Sequence, residues 1–166
     1  MKYFIGNWKM FGIPGSIKIL DRINNYVKKD KARSKNYKVI ISPPYTLLEN
    51  FTKSFKNKKI SISAQNCFHK NNYGSHTGFV SPYMIKKLGV KHVIIGHSEN
   101  REAGENNHIL KEKVLASVKN NLNIIFCIGE NKYEKRKKLT LNVLKNQIRK
   151  SLDKKYDFKK ILIAYE

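Results

Sequence analysis

Six short runs of β-branched and aromatic residues punctuate the chain, and the distances between them leave little choice of fold. They are YFIGN (3–7), KVIIS (38–42), KISIS (59–63), HVIIGH (92–97), NIIFCI (123–128) and ILIAYE (161–166). Their starts lie roughly 20 to 40 residues apart, too far for hairpins and right for strand–helix–strand crossovers. Between them, apolar residues recur at helical steps: Ile17, Leu20, Ile23 and Val27; Leu47, Leu48, Phe51 and Phe55; Ile109, Val114 and Val118. The pattern predicts helices alternating with the strands of a parallel sheet, an α/β fold. No linker or low-complexity tract interrupts it, so one domain over residues 1–166 is expected.

One stretch breaks the rhythm. AQNCFHKNNYGSHTGFV (64–80) has no period and is longer than an ordinary connection. Loops of that length in compact domains are functional or disordered. Cys67 and the neighbouring aromatic residues argue for order.

Composition removes several classes of function. The formal charge is +22, which raises the question of a nucleic-acid surface. Basic residues gather in runs such as KNKK (56–59) and EKRKK (134–138), yet also sit singly on most expected helices. Aromatic residues are not interleaved with those runs as base stacking requires. A lysine-filled surface without a specific nucleic-acid ligand is the better reading, and its field still draws in small anions, phosphates included. Cys67 and Cys127 lack the paired spacing of a metal or redox site and read as reduced thiols. The opening MKYFIGNWKMF is too short in apolar residues for a secretory signal. No run approaches the roughly 18 apolar residues of a membrane span. A soluble, intracellular protein is expected.

In parallel sheets flanked by helices, ligands gather beyond the carboxyl ends of the strands. Those ends supply Asn7 with Lys9, Ser42, Gln65 with Asn66, His97 with Glu99, Glu130 and Glu166. Each has a plain explanation. Lys9 is one of 34 basic residues, and Asn7 is a turn former. Ser98 reads as a helix cap with Glu99 in the first turn, Glu130 as another first-turn acid, and Cys127 as a small core residue. Taken together, a cation, an imidazole and a carboxylate suit one reaction class, the movement of a proton on a carbon beside a carbonyl. That chemistry needs a base, a donor to the developing enediolate oxygen and a fixed positive charge. An imidazole just before a helix start is disfavoured as imidazolium, so His97 is expected to act as a neutral donor.

Six motifs in order, GNWKM (6–10), SAQN (63–66), HTGFVS (76–81), IIGHSENR (94–101), CIGE (127–130) and AYE (164–166), resemble the triosephosphate isomerase family over the whole chain. The resemblance implies a TIM (β/α)8 barrel, incomplete here, with about six of eight βα units. It implies cofactor-independent and metal-free interconversion of dihydroxyacetone phosphate and D-glyceraldehyde 3-phosphate, in cytoplasmic glycolysis and gluconeogenesis. By motif, Glu166 would be the proton acceptor, His97 the electrophile and Lys9 the electrostatic group. Asn7 and Lys9 would bind substrate, while Ser98 and Glu99 would support the site. Loop 64–80 would make the homodimer.

The match has departures. Asn100 and Phe79 stand where the family commonly has an arginine and a glutamate, so an ion pair near the dimer contact is expected to be lost from both sides. In the family, AYE leads into Pro-Val-Trp, the start of a mobile lid, and into two further βα units that bind the phosphate. A polypeptide of these 166 residues alone is therefore expected to expose apolar edges on its first and sixth strands, to be poorly soluble and to be nearly inactive. The rival readings are a truncated non-catalytic product and a basic nucleic-acid-binding protein, the latter with steeply salt-dependent binding.

Overall fold

The computed structural model describes residues 1–30, 36–56 and 58–166. Asn57, inside the basic run KNKK, lies outside the described residues. The chain packs as two compact units, Met1–Gln65 with Ile85–His92, and Asn66–Met84 with Val93–Glu166.

The first unit is built on β1 (Lys2–Asn7), β2 (Tyr37–Ser42) and β3 (Ile60–Ala64), hydrogen-bonded in that order. Both pairings are parallel, with Asn7 beside Ser42 and Ile41 beside Ile62. All three carboxyl ends therefore rise on one rim. Helix α1 (Ile17–Lys29) buries Leu20, Asn24 and Val27. Ile17 and Ile23, expected on that face, are only half-buried. Asn24 takes their place because its side-chain oxygen accepts the Lys59 N–H at 3.1 Å, which satisfies a polar group in the core. Helix α2 (Tyr45–Ser54) buries Leu47, Leu48 and Phe51, and Phe55 follows at its end, as the spacing predicts. Each such side chain contributes about 1.5–3 kcal/mol of burial.

Helix α3 (Pro82–Lys87) leads into β4 (His92–Ile95). In the second unit β4 is followed across the sheet by β5 (Asn123–Ile128) and β6 (Ile161–Tyr165). β5 and β6 are parallel, from Ile124 beside Ile161 to Ile128 beside Tyr165. Ile124 through Ile128 are all buried, the mark of a parallel strand covered on both faces. The run HVIIGH does not extend to His97 as expected. Gly96 has φ +81, which ends the strand and frees His97 from the ladder.

Helices α4 (Ser98–Glu102), α5 (Asn107–Lys119), α6 (Lys132–Arg136) and α7 (Thr140–Ser151) complete this unit. The buried face of α5 is Leu110, Lys113, Val114, Ala116 and Ser117, rotated from the Ile109–Val114–Val118 stripe read in the sequence. Lys113 enters the core because its ammonium is paired with Glu105 and also reaches Asn66 Oδ1 at 2.9 Å. Between β3 and α3 the chain has no regular element, as expected for the long loop, but it is pinned. Phe68 N–H donates to Val80 at 2.8 Å, and the Phe68 ring packs on His69, His76 and Phe79 with centroids 4.2, 4.7 and 4.3 Å away. Phe4 on β1 and Ile163 on β6 are exposed. Among the described residues no helix is long and apolar enough to cross a membrane.

Candidate active site

Three groups converge at the carboxyl end of the second unit. Glu166 follows β6, and its N–H still donates to Ile128 at 2.9 Å, so the ladder fixes its backbone. Its Oε2 accepts the Ser98 N–H at 2.8 Å, and its Oε1 lies 3.0 Å from His97 Nε2. His97, rather than Ser98, caps α4: its Nδ1 accepts the Glu99 N–H at 3.3 Å. The reading of Ser98 as the cap is thus corrected; it is the first helical residue, and its amide serves Glu166.

This arrangement assigns the imidazole proton. A backbone N–H can only donate, so Nδ1 must be the acceptor, leaving the hydrogen on Nε2 and aimed at the carboxylate. The Glu99 carboxylate, at 3.5 Å from Nδ1, pulls the other way but is more than half exposed and long for a hydrogen bond. The backbone donor decides the tautomer. A neutral donor beside a carboxylate base is the pair that proton abstraction next to a carbonyl requires.

Several side chains hold this pair in place. Arg101 donates from Nε to Gly96 O at 2.7 Å, from Nη1 to Asn107 Oδ1 at 3.0 Å and from Nη2 to Cys127 O at 3.0 Å. It thereby ties the turn after β4 to the end of β5. Burial lowers its guanidinium from the ordinary value, while Cys127, Glu105 and Glu166 oppose that shift. Cys127 is a buried free thiol, as is Cys67. Burial, the Glu166 charge and a hydrogen bond to Glu166 push the Cys127 thiol up to about 12, so it stays protonated beside the carboxylate. A methyl at Gly129 would lie 2.7 Å from the Glu166 carbonyl oxygen.

Glu130 is not the first-turn acid the sequence suggested. Asn131 caps α6 in a reciprocal pair with Glu134, and Glu130 instead accepts from Tyr165 Oη at 3.0 Å and Thr140 Oγ1 at 3.1 Å. Its own backbone N–H, joined by these hydroxyls and the Lys135 charge, holds its carboxyl below the usual range against the opposing effect of desolvation.

The first unit presents its own rim cluster. Lys9 has φ 52, a left-handed conformation unusual for a residue with a side chain. Two neighbours maintain it: Asn7 Oδ1 accepts the Lys9 N–H at 3.0 Å, and Gln65 Nε2 donates to Lys9 O at 2.8 Å. The same Gln65 nitrogen reaches Ser42 O at 2.9 Å, so one amide joins the ends of β1, β2 and β3. Asn7 is thus the turn former of the plain reading. Asn66, read with Gln65 at a strand end, belongs to the second unit and donates to Glu105 at 2.8 Å. Among the described residues no cluster of three or more His, Cys, Asp or Glu is placed to hold a metal ion. Arg101 and Gln147 are site residues that the sequence does not single out. Each is one polar residue among many, and only the turn it grips reveals its use.

The model of the family described as Triosephosphate isomerase matches residues 2–166. A triosephosphate isomerase of Mycoplasma mobile is 40% identical over 174 residues, covering 99% of this chain and 69% of that protein. One from Thermodesulfovibrio yellowstonii is 37% identical over 167 residues, covering 99% and 66%. The crystal structure of the Bartonella henselae triosephosphate isomerase superposes with a TM-score of 0.91 at 34% identity, over 99% of this chain and 67% of that one. The chain thus spans about two thirds of the length of the curated relatives it matches. Its six strands are those of a TIM barrel with part of the barrel unrepresented. Motif order, fold and the histidine–glutamate pair agree, and the chain belongs to the triosephosphate isomerase family.

Proposed function

We propose that residues 1–166 carry the acid–base machinery for interconverting dihydroxyacetone phosphate and D-glyceraldehyde 3-phosphate. One observation carries this reading: Glu166 Oε1 stands 3.0 Å from a histidine nitrogen whose hydrogen is fixed by the Glu99 amide on the opposite side of the ring. Glu166 removes the proton from the carbon beside the carbonyl and returns it to the neighbouring carbon. His97 Nε2–H stabilises the negative oxygen of the enediolate and passes a proton between the two oxygens. Lys9 supplies positive charge and Asn7 a substrate contact, roles that rest on the family motif NWK. Ser98 supports the base through its amide, and Glu99 supports the histidine. The relatives' shared activity supports a role in glycolysis and gluconeogenesis, in the cytoplasm.

The long loop supports a homodimer. Its aromatic residues Tyr73 and Phe79 are 76% and 58% exposed although the loop's base is pinned by Asn66 and Cys67. Exposed rings on an ordered loop are suited to insertion into a second copy.

The test is isomerisation by the polypeptide carrying residues 1–166 in deuterated water, followed by NMR. Even at the low rate expected of these residues alone, deuterium entering at the carbon beside the carbonyl, and lost in Glu166→Gln, is the expected result. Conversion of either triose phosphate without solvent deuterium, or at an unchanged rate in Glu166→Gln, rejects the assignment.

A further inference from the structure

Gly129 has an unusual partner. It follows β5, whose last ladder position pairs Ile128 with Tyr165. Backbone groups along a parallel strand point alternately to its two neighbours, so Gly129 turns its N–H and C=O away from β6. Neither is left to solvent. Gln147, on α7 and 9% exposed, accepts the Gly129 N–H on Oε1 at 3.0 Å and donates from Nε2 to Gly129 O at 2.8 Å. A side-chain amide has the donor and acceptor of a peptide group, and here it stands in for a neighbouring strand at the point where the sheet ends.

The location gives the clamp a consequence beyond local satisfaction. The Glu166 carbonyl oxygen lies where a methyl on Gly129 would be only 2.7 Å away, so the glycine backs directly onto the residue that carries the base. The Glu166 carboxylate is held within 3.0 Å of His97 Nε2 and 2.8 Å of the Ser98 amide. A shift of Gly129 toward this oxygen would therefore be passed on to Glu166. We propose that Gln147 is a positioning residue for Glu166, setting the carboxylate against His97 through the Gly129 backbone. This rests on Glu166 being the base.

Substituting glutamate at this position separates positioning from packing. As a carboxylate, the introduced side chain would meet the Gly129 N–H correctly but oppose its carbonyl with a second oxygen. As a protonated acid it would offer the same acceptor and donor as the amide. Gln147→Glu is therefore expected to lose kcat by about tenfold at neutral pH, with KM within about twofold, because a small misplacement of a reacting group is costly. Relative to the unsubstituted protein at the same pH, its kcat climbs back as pH falls. Gln147→Leu loses kcat similarly, with no such recovery. A kcat ratio for Gln147→Glu that is flat with pH, or Gln147→Leu within twofold of the unsubstituted rate, overturns the proposal.

Should Gln147→Leu fail to fold, amide exchange in the unsubstituted protein still decides. Gly129 N–H is expected to exchange as slowly as the interior of β5, and fast exchange refutes the clamp. Should the unsubstituted protein turn over too slowly for kcat to be compared, a direct readout replaces the kinetic one. The side-chain carboxyl ¹³C shift of Glu166 in Gln147→Glu, followed across the same pH range, then reads positioning directly. A shift that tracks protonation at position 147 supports the proposal, and an unmoved shift sinks it.

Discussion

His97 Nε2 stands 3.0 Å from Glu166 Oε1, and each of the two groups has a second partner in the backbone of α4. The Glu99 amide sets the tautomer of the ring, and the Ser98 amide sets the rotamer of the acid. Glu166→Gln keeps the shape and removes the proposed base, and is expected to lower kcat by about 10²–10⁴-fold. His97→Ala removes the donor to the enediolate and costs about 10²–10³-fold. If both act in one proton-transfer unit as proposed, the double variant loses less than the product of the two. Steady-state isomerisation rates check all three; a Glu166→Gln enzyme within tenfold of the unsubstituted one removes Glu166 from the role of base.

Gly129→Ala places a methyl against the carbonyl oxygen of Glu166 at 2.7 Å, a distance that real side chains do not tolerate. Since the obstacle is backbone, relief requires Glu166 to shift. The expected cost is about 1–3 kcal/mol of stability, the usual range for overpacking, together with a fall in kcat as Glu166 leaves its place. Gly15→Ala is the control: nothing lies within 4 Å of its added methyl, and a surface change of this kind stays within about 0.5 kcal/mol. Urea unfolding and kinetics on both variants decide it. Equal behaviour of the two would show that the Gly129 contact is soft.

What could be read in the sequence follows from how local each signal is. The strands and α2 declare themselves by period, because their burial depends on residues close in sequence. His97 and Glu166 stand out because each follows an apolar run with an ionisable group. The buried face of α5 eludes the pattern because Lys113 counts as polar in any stripe, and only its pairing with Glu105 and Asn66 permits it inside. Asn24 on α1 hides for the same reason, its partner lying 35 residues away. Arg101 and Gln147 act on the backbone of Gly96, Cys127 and Gly129. Their importance lies in where two turns are brought by the fold, which no spacing encodes.

Lys113 is a buried cation whose worth depends on its partners. Its side chain is 6% exposed and Glu105's is 17% exposed, and Glu105 Oε2 has no hydrogen-bond partner. Lys113→Met leaves the Glu105 carboxylate in the interior without its ion-pair partner, with the Asn66 amide and the Arg101 charge still acting on it. Breaking a buried pair in this way costs about 3–5 kcal/mol. Adding Glu105→Leu is expected to restore part of the loss, since it removes the unpaired charge but also takes the acceptor from the Asn66 amide. Because Asn66 heads the long loop and loses the Lys113 contact in the single variant and the Glu105 contact as well in the double, proteolysis between residues 66 and 80 should rise in the single variant and rise further in the double. Additive losses from the two changes would contradict the pairing.

His92 makes stability depend on pH in a window that can be stated. The residue is 8% exposed, and its Nδ1 has no hydrogen-bond partner. Burial first, then the charges of Lys38, Lys91 and Lys86, pull its pKa from 6.5 down to about 4. In the unfolded chain the ring takes up a proton at the ordinary value, so below that pH the unfolded state binds more protons than the native one. Stability from this residue is therefore complete above pH 6.5 and is lost as pH falls through about 4. The full loss is roughly 3 kcal/mol at 1.4 kcal/mol per unit. His92→Leu removes the titrating group, so its unfolding free energy should fall less steeply over that interval, while carboxylates elsewhere contribute equally to both proteins. Urea titrations at intervals from pH 6.5 to 4 provide the comparison, and parallel curves would mean that His92 takes up its proton without unfolding the structure around it.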